Sequence, residues 1–218
     1  MTSTQATSAP THRLLLIRHG ETEWSLSGQH TGNTDKPLTE NGKRQAQALV
    51  KPLEELDLYR PYVISSPRTR AKTTAELAGL SIDAVWDEVH EWDYGDYEGL
   101  TNAQIRAENP GWNLWSDGCP GGESVAQMSS RVDGVIDAAI PLMSDRDVVI
   151  VSHGHFSRSF LARWVEAPIA RGERFQMLPA SVAAVGFNGE FHQLMTLGIT
   201  GYSSANYVDA SRPSRPAR

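Results

Sequence analysis

One run leaves little freedom to the fold around it: Leu14-Leu15-Leu16-Ile17, followed at once by Arg18, His19 and Gly20. Four consecutive apolar residues cannot alternate between a wet and a dry face. They read as a strand buried on both sides, the situation of a strand in a parallel sheet covered by helices. A second stretch has the same form: Val148-Val149-Ile150-Val151 leads through Ser152 into His153-Gly154-His155. A third strand, Tyr62-Val63-Ile64-Ser65, runs into Ser66-Pro67-Arg68-Thr69-Arg70. Buried strands that stop at polar residues place them at the carboxyl edge of the sheet, where open α/β folds bind ligands.

Helical signals separate these strands. Ala46, Leu49, Val50, Leu53 and Leu56 recur at three-four spacing, predicting a helix from about residue 38 with a kink or break at Pro52. Ser66-Pro67 has the form of a cap and a first helical position, and Gly79 that of a stop. Residues 82–89 read as a more polar strand, and 101–109, 123–143 and 156–166 as helices, the longest weakened by Gly134 and Pro141. Residues 182–187 and 190–197, joined by Asn188-Gly189, predict a hairpin. Residues 21–37 form a polar loop long enough to suggest function; 90–99 and 111–122 read as further loops. The alternation predicts an α/β sandwich with a mostly parallel sheet, and right-handed crossovers would gather three strand ends at one edge. Residues 12–200 read as a single domain, with 1–11 a disordered tail and 201–218 a flexible one.

The net charge of −6 argues against nucleic acid or an anionic membrane as partner, but not against a small anion held by clustered arginines. One cysteine, Cys119, excludes an intramolecular disulfide framework and fits a reducing cytoplasm. No run of about 18 apolar residues suggests a membrane span, and the first twelve residues lack a secretory signal's apolar core.

Two histidines and several arginines at one sheet edge suit a phosphate, because guanidinium binds its oxygens bidentately and stays charged. Neighbouring arginines would keep His19 neutral, and a carbonyl on one ring nitrogen would aim the other at phosphorus. His19 is therefore the candidate nucleophile, with Arg18 and Arg70 as phosphate ligands. Glu91 is the candidate general acid, and His153 would give a hydrogen bond or positive charge in the transition state. Bland readings stand beside these. A lone histidine at a strand end is more often structural; two in matching settings shift that balance. Arg68 and Arg70 could be solvated helix charges, a reading favoured for Arg68; Glu91 could equally be an ordinary loop carboxylate, His155 equally a cap or a site residue, and Trp92, Tyr94 and Tyr97 read as loop packing. His12, His30, His90 and His192 have no supporting context.

Other phosphatase chemistries fit poorly. A cysteine nucleophile needs arginine six positions on, where Val125 stands; no Asp-x-Asp follows an apolar strand; and His153-x-His155 has no third metal ligand at matching spacing.

Leu16-Ile17-Arg18-His19-Gly20-Glu21-Thr22 resembles the signature of the histidine phosphatase, or phosphoglycerate mutase-like, superfamily. Pro37-Leu38-Thr39-Glu40-Asn41-Gly42, the stretch Ser65 to Ala71, Glu91 to Thr101 and Ser152-His153-Gly154 resemble its further motifs in order. The resemblance implies a three-layer α/β/α fold and a metal-independent reaction without cofactor through a phosphohistidine at His19. It makes Glu91 the proton donor, Arg70 the pocket arginine and Arg68 a bystander. It places Thr22, Ser25, Thr31 and Gly32 along the phosphate pocket, with His155 a further candidate. The mutases carry a lysine where Asn102 stands and an arginine pair after it, whereas residues 103–122 hold only Arg106. The reading is thus an acid phosphatase-like phosphomonoesterase acting on a small phosphorylated metabolite, similar to actinobacterial members labelled as mutases. The alternatives are a cofactor-dependent phosphoglycerate mutase and a non-catalytic phosphate-binding module. The family includes monomers, dimers and tetramers, so a homodimer is allowed.

Overall fold

In the computed structural model, which describes residues 12–203, the opening run is β1, Leu14–Arg18. All four of its aliphatic side chains are fully buried. They alternate between two cores, because successive residues of a strand point to opposite faces. Leu14 and Leu16 pack with Trp92, Phe156, Phe160 and Trp164, and Leu15 and Ile17 with Leu49, Leu53, Ala71 and Ala75.

The remaining strands are β2 (Tyr62–Ser65), β3 (Ala84–Val85), β4 (Val148–Ser152), β5 (Val182–Asn188) and β6 (Phe191–Ile199). Their order is β3-β2-β4-β1-β5-β6, parallel from β3 to β1 and antiparallel from β1 through the β5–β6 hairpin. The helices are α1 (Glu23–Ser27), α2 (Glu40–Gln47), α3 (Val50–Glu55), α4 (Thr69–Leu77), α5 (Asn102–Glu108), α6 (Leu114–Asp117), α7 (Val125–Ala139) and α8 (Gly154–Trp164). Residues from α3 and α4 fill one core and residues from α5 to α8 the other, giving a three-layer α/β/α sandwich. The carboxyl ends of β1, β2 and β4 meet at one edge, as the strand–helix alternation requires.

The boundaries depart from the sequence reading in instructive places. The helix expected to break at Pro52 divides earlier, at residues 48–49, and Pro52 sits in the first turn of α3, where its missing N–H has no helical partner to lose. Ser66-Pro67 does not start α4. The helix begins at Thr69 because Asp35, from the polar loop, accepts from the Thr69 amide at 3.1 Å and from its hydroxyl at 2.6 Å. The strand expected over 82–89 shrinks to two residues, since β2 ends at Ser65 and offers nothing further to pair with. The polar loop contains the short α1, closed by a Thr22–Ser25 capping box, and α6 interrupts the loop at 111–122. The predicted tail over 1–11 and residues 204–218 of the other lie outside the described residues.

A second contact joins the end of β1 to the start of α2. A side-chain carbon at Gly42 would lie 2.1 Å from the Glu21 carbonyl, and one at Gly20 2.5 Å from that of Gly42, so the two backbones meet where only glycine fits. The Glu21 carboxylate accepts from Thr39 Oγ1 at 2.7 Å and Asn41 Nδ2 at 3.0 Å, clasping the start of α2 to the end of β1. Two separate sequence motifs are one packing unit.

Candidate active site

His19 leaves β1 with its amide donating to the Ser152 carbonyl at 2.9 Å and its own carbonyl accepting from Ala180. Its Nδ1 lies 2.7 Å from the Gly20 carbonyl. A carbonyl can only accept, so Nδ1 carries the ring proton and Nε2 presents a bare lone pair. Burial, then the Arg70 and Arg18 guanidiniums, hold the imidazole pKa well below its ordinary 6.5, against the opposing pull of the Gly20 bond. The ring packs edge-on against His153 at 5.2 Å between centroids.

His153, fully buried at the end of β4, has both nitrogens engaged. Arg70 Nε donates to Nδ1 at 3.2 Å, so the ring proton sits on Nε2, which donates to Ser66 Oγ at 2.7 Å. Burial and Arg70 push its pKa well below 6.5. The ring is thus held by hydrogen bonds at both nitrogens, and burial beside Arg70 disfavours its protonated form. Arg70, also fully buried, grips the polar loop: its Nη groups donate to the carbonyls of Thr31, Gly32 and Thr34 at 2.9–3.1 Å. Glu98 grips the same loop from its amide side, accepting from Gly32 and Thr34 at 2.9–3.0 Å.

Two guanidiniums are left with an unmet donor. Arg18 Nη1 donates to the Met177 carbonyl at 2.6 Å and Arg68 Nη2 to Asn33 Oδ1 at 2.7 Å, yet the Nε of each is buried without an acceptor. Buried donors left unpaired are costly, and an anionic oxygen is the partner they fit. Arg18 lies against Gly154, where a side-chain carbon would come within 3.2 Å of its guanidinium. Arg68, a bystander by resemblance, is close enough for its charge to act on both Arg70 and His153.

Glu91 is buried across from these cations. Its Oε1 accepts from the Trp92 and Phe156 amides at 2.9 and 2.8 Å, and its Oε2 from the His155 amide at 3.0 Å. The carboxylate thus sits on the first turn of α8, whose free N–H groups aim it. Oε2 takes only one such bond and keeps a lone pair for a proton.

The remaining expected pocket residues divide. Gly32 and Thr31 meet Arg70 through their carbonyls, and the Thr31 hydroxyl turns back to the Gln29 carbonyl at 3.2 Å. Thr22 and Ser25 bond to one another in the α1 cap. His155 Nδ1 meets the Tyr94 hydroxyl at 2.6 Å, and burial and Arg158 press its pKa well below 6.5.

Sequence reasoning passed over His30, Ser66 and Glu98, and weighed Asn102 only as the position of the mutases' lysine. The His30 ring packs at a tilt against Tyr94, 4.4 Å between centroids, and lies 5.9 Å from the His155 ring, with Nε2 3.1 Å from Asn102 Oδ1. Burial lowers its pKa to about 4. The available signal was position: His30 precedes Thr31 and Gly32, and Ser66 precedes the arginine pair. Among the described residues no group of three or more His, Cys, Asp or Glu side chains is arranged for a metal ion. No described helix is long and apolar enough to cross a membrane.

Comparison with known proteins adds four findings. The model of the histidine phosphatase superfamily (branch 1) matches residues 14–200. An acid phosphatase of Mycobacterium tuberculosis is 52% identical over 191 residues, 88% of this chain and 94% of the relative. A sedoheptulose 1,7-bisphosphatase of Saccharomyces cerevisiae is 34% identical over 71% of this chain and 68% of its own. A solved structure of a Mycobacterium tuberculosis open reading frame, 52% identical, superposes with a TM-score of 0.86, covering 88% of this chain and all of that one.

Proposed function

The chain belongs to the histidine phosphatase superfamily, and from that premise we propose that it is a metal-independent phosphomonoesterase working through a phosphohistidine at His19 on small phosphorylated metabolites. One observation carries the reading: His19 keeps a bare Nε2 within the field of Arg18, whose Nε is buried without an acceptor. A phosphoryl group supplies what both need, oxygens for the donors and an electrophile for the lone pair.

In this reading Arg18, Arg70 and Arg68 hold the equatorial oxygens, with the loop at Thr31 and Gly32 behind Arg70 and the capped Thr22–Ser25 turn beside it. His153 enters as a neutral ring, fixing Arg70 through Nδ1 and offering its Nε2–H to an oxygen in place of Ser66. His19 Nε2 attacks in line as the ester P–O bond breaks. Glu91 Oε2 gives its proton to the departing alkoxide. A water then loses its proton to Glu91 and attacks phosphorus, the P–N bond breaks, and inorganic phosphate leaves with His19 neutral again. His155 lies next to the leaving group through its backbone bond to Glu91.

The same reading takes residues 12–200 as one domain and the protein as cytoplasmic, supported by a single buried thiol, Cys119, whose pKa burial raises to about 12. It favours water over a second hydroxyl as acceptor. A mutase must hold a bisphosphorylated intermediate, and the position that would carry its lysine is Asn102, bound to His30, while Arg106 is turned to the Trp112 carbonyl. The test is a side-by-side assay. Purified protein is expected to release phosphate from members of a phosphorylated-metabolite panel, in excess chelator. Conversion of 3- to 2-phosphoglycerate with bisphosphoglycerate present is expected to be at least about 100-fold slower. Isomerisation outpacing phosphate release would reverse the assignment.

A further inference from the structure

Glu91 stands on a stretch that belongs to no strand or helix, residues 90–94, between the short turns Asp87–Val89 and Gly95–Tyr97. Its carbonyls still need donors, and side chains supply them. Arg131, on α7, turns its guanidinium to this backbone. Nη1 donates to the Glu88 and His90 carbonyls at 2.7 and 2.9 Å, and Nη2 reaches the Glu91 carbonyl at 3.4 Å. Ser152 Oγ donates to the Val89 carbonyl between them at 2.7 Å, tying the same stretch to the end of β4.

Glu123 aims the arginine. The two side chains meet through parallel bonds, Nε to Oε1 at 2.8 Å and Nη2 to Oε2 at 2.6 Å. Both are nearly buried, at 12% and 11% exposure. Ser124 and Gln127 form the capping box of α7, which leaves Glu123 for this pairing. The Glu123 backbone fastens the far side of the stretch: its amide donates to the Asp93 carbonyl at 2.9 Å, and its carbonyl accepts from Trp92 Nε1 at 2.8 Å. The Arg131 guanidinium also lies 5.6 Å from the centre of the Phe156 ring, and the Phe156 amide is one of the donors on the Glu91 carboxylate. Arg131 therefore touches both the backbone that carries Glu91 and a residue that holds its carboxyl group. The side-chain bonds of Arg131 and Glu123 run to residues 88–93, to Met128 and to each other.

We infer that Arg131, aimed by Glu123, is a positioning residue for the proton transfer from Glu91, and that it acts on the reaction only through that carboxyl group. The inference rests on the phosphatase reading above, in which Glu91 protonates the departing alkoxide. Proton transfer needs hydrogen-bond reach, and a displacement of about 1 Å can cost about 10²-fold. Lysine cannot replace the arginine, because one ammonium has no planar fork to span a carboxylate and several carbonyls together.

Arg131→Met keeps the aliphatic stem and removes the fork. For an alkyl phosphate that the unaltered protein hydrolyses, kcat is expected to fall by about 10–10²-fold; for nitrophenyl phosphate it should fall by less than about threefold, with both KM values within about twofold. A merely structural role would slow both esters alike. With Glu91→Gln already in place, Arg131→Met is expected to cost the alkyl ester less than about threefold more, because the group it positions is gone. Arg131→Lys stands in should the methionine variant fail to fold, and is expected to lower the ratio of alkyl to nitrophenyl kcat by at least about threefold. Equal slowing of the two esters in a folded variant, or a further loss of about tenfold in the Glu91→Gln background, would overturn the inference. Inertness of the unaltered protein towards both kinds of ester would overturn the phosphatase reading and the inference with it.

Discussion

His19→Ala is expected to lower phosphate release from every monoester by about 10⁴-fold or more, because no other side chain can take the phosphoryl group. His153 cannot substitute: its Nδ1 is filled by Arg70 and its Nε2 carries a proton. The variant is expected to fold, since the backbone bonds of His19 to Ser152 and Ala180 do not involve the ring. It should still bind inorganic phosphate, through the guanidinium donors that Arg18 and Arg68 leave unmet. Rapid quenching of the unaltered protein with labelled substrate should trap an acid-labile, base-stable phosphoryl group, and the variant none. Turnover within tenfold of the unaltered protein would sink the mechanism.

Glu91→Gln is expected to have the second largest effect, and one that depends on the leaving group. An alkoxide leaves poorly without a proton, so hydrolysis of an alkyl phosphate should slow by about 10²–10³-fold. A nitrophenolate needs little help, and its ester should slow about tenfold or less. The packing predicts a structural cost too. Glutamine can keep its carbonyl on the Trp92 and Phe156 amides, but then turns an NH2 towards the His155 amide, donor against donor. A thermal melt separates that local cost from the chemical one. Equal slowing of both esters in a folded variant would count against proton donation.

Much of the architecture was legible because two aliphatic runs, Leu14–Ile17 and Val148–Val151, admit few environments. Both are fully buried, and both deliver a histidine to the same edge. Asn188-Gly189 likewise marks the hairpin, one residue out of place: Asn188 pairs with Phe191 and the turn is Gly189-Glu190, with Gly189 at a φ of 61°. The misreadings arose where a distant residue overrode a local signal. Ser66-Pro67 looks like a helix cap, but Asp35 caps α4 and releases Ser66 for His153. Residues 82–89 have strand character, but the neighbouring strand is too short to use it. Within the candidate site, residues at strand ends could be anticipated because topology brings strand ends together. Glu98 could not, since it meets the site only through the fold of the 21–37 loop, which has no periodicity to read, and His30 only through its place before Thr31 and Gly32.

The four inward-facing imidazoles of His19, His30, His153 and His155 make the native chain a weaker base than its own unfolded form. Each has a pKa below the 6.5 it would regain on unfolding. As the pH drops below 6.5, the unfolded chain therefore takes up protons that the folded one refuses. The native state then loses about 1.4 kcal/mol per pH unit for every proton so withheld. For His30 the loss runs from about 6.5 down to about 4; well above 6.5 all four are neutral in both states and contribute no slope. Calorimetric melts between pH 7 and pH 5 should register this as a falling midpoint, and as an unfolding heat that varies with the ionisation enthalpy of the buffer supplying the protons. A midpoint that is flat or rises over that interval would contradict it. Proton uptake by the unfolded chain thus begins at a higher pH than protonation of the His19 ring in the folded one.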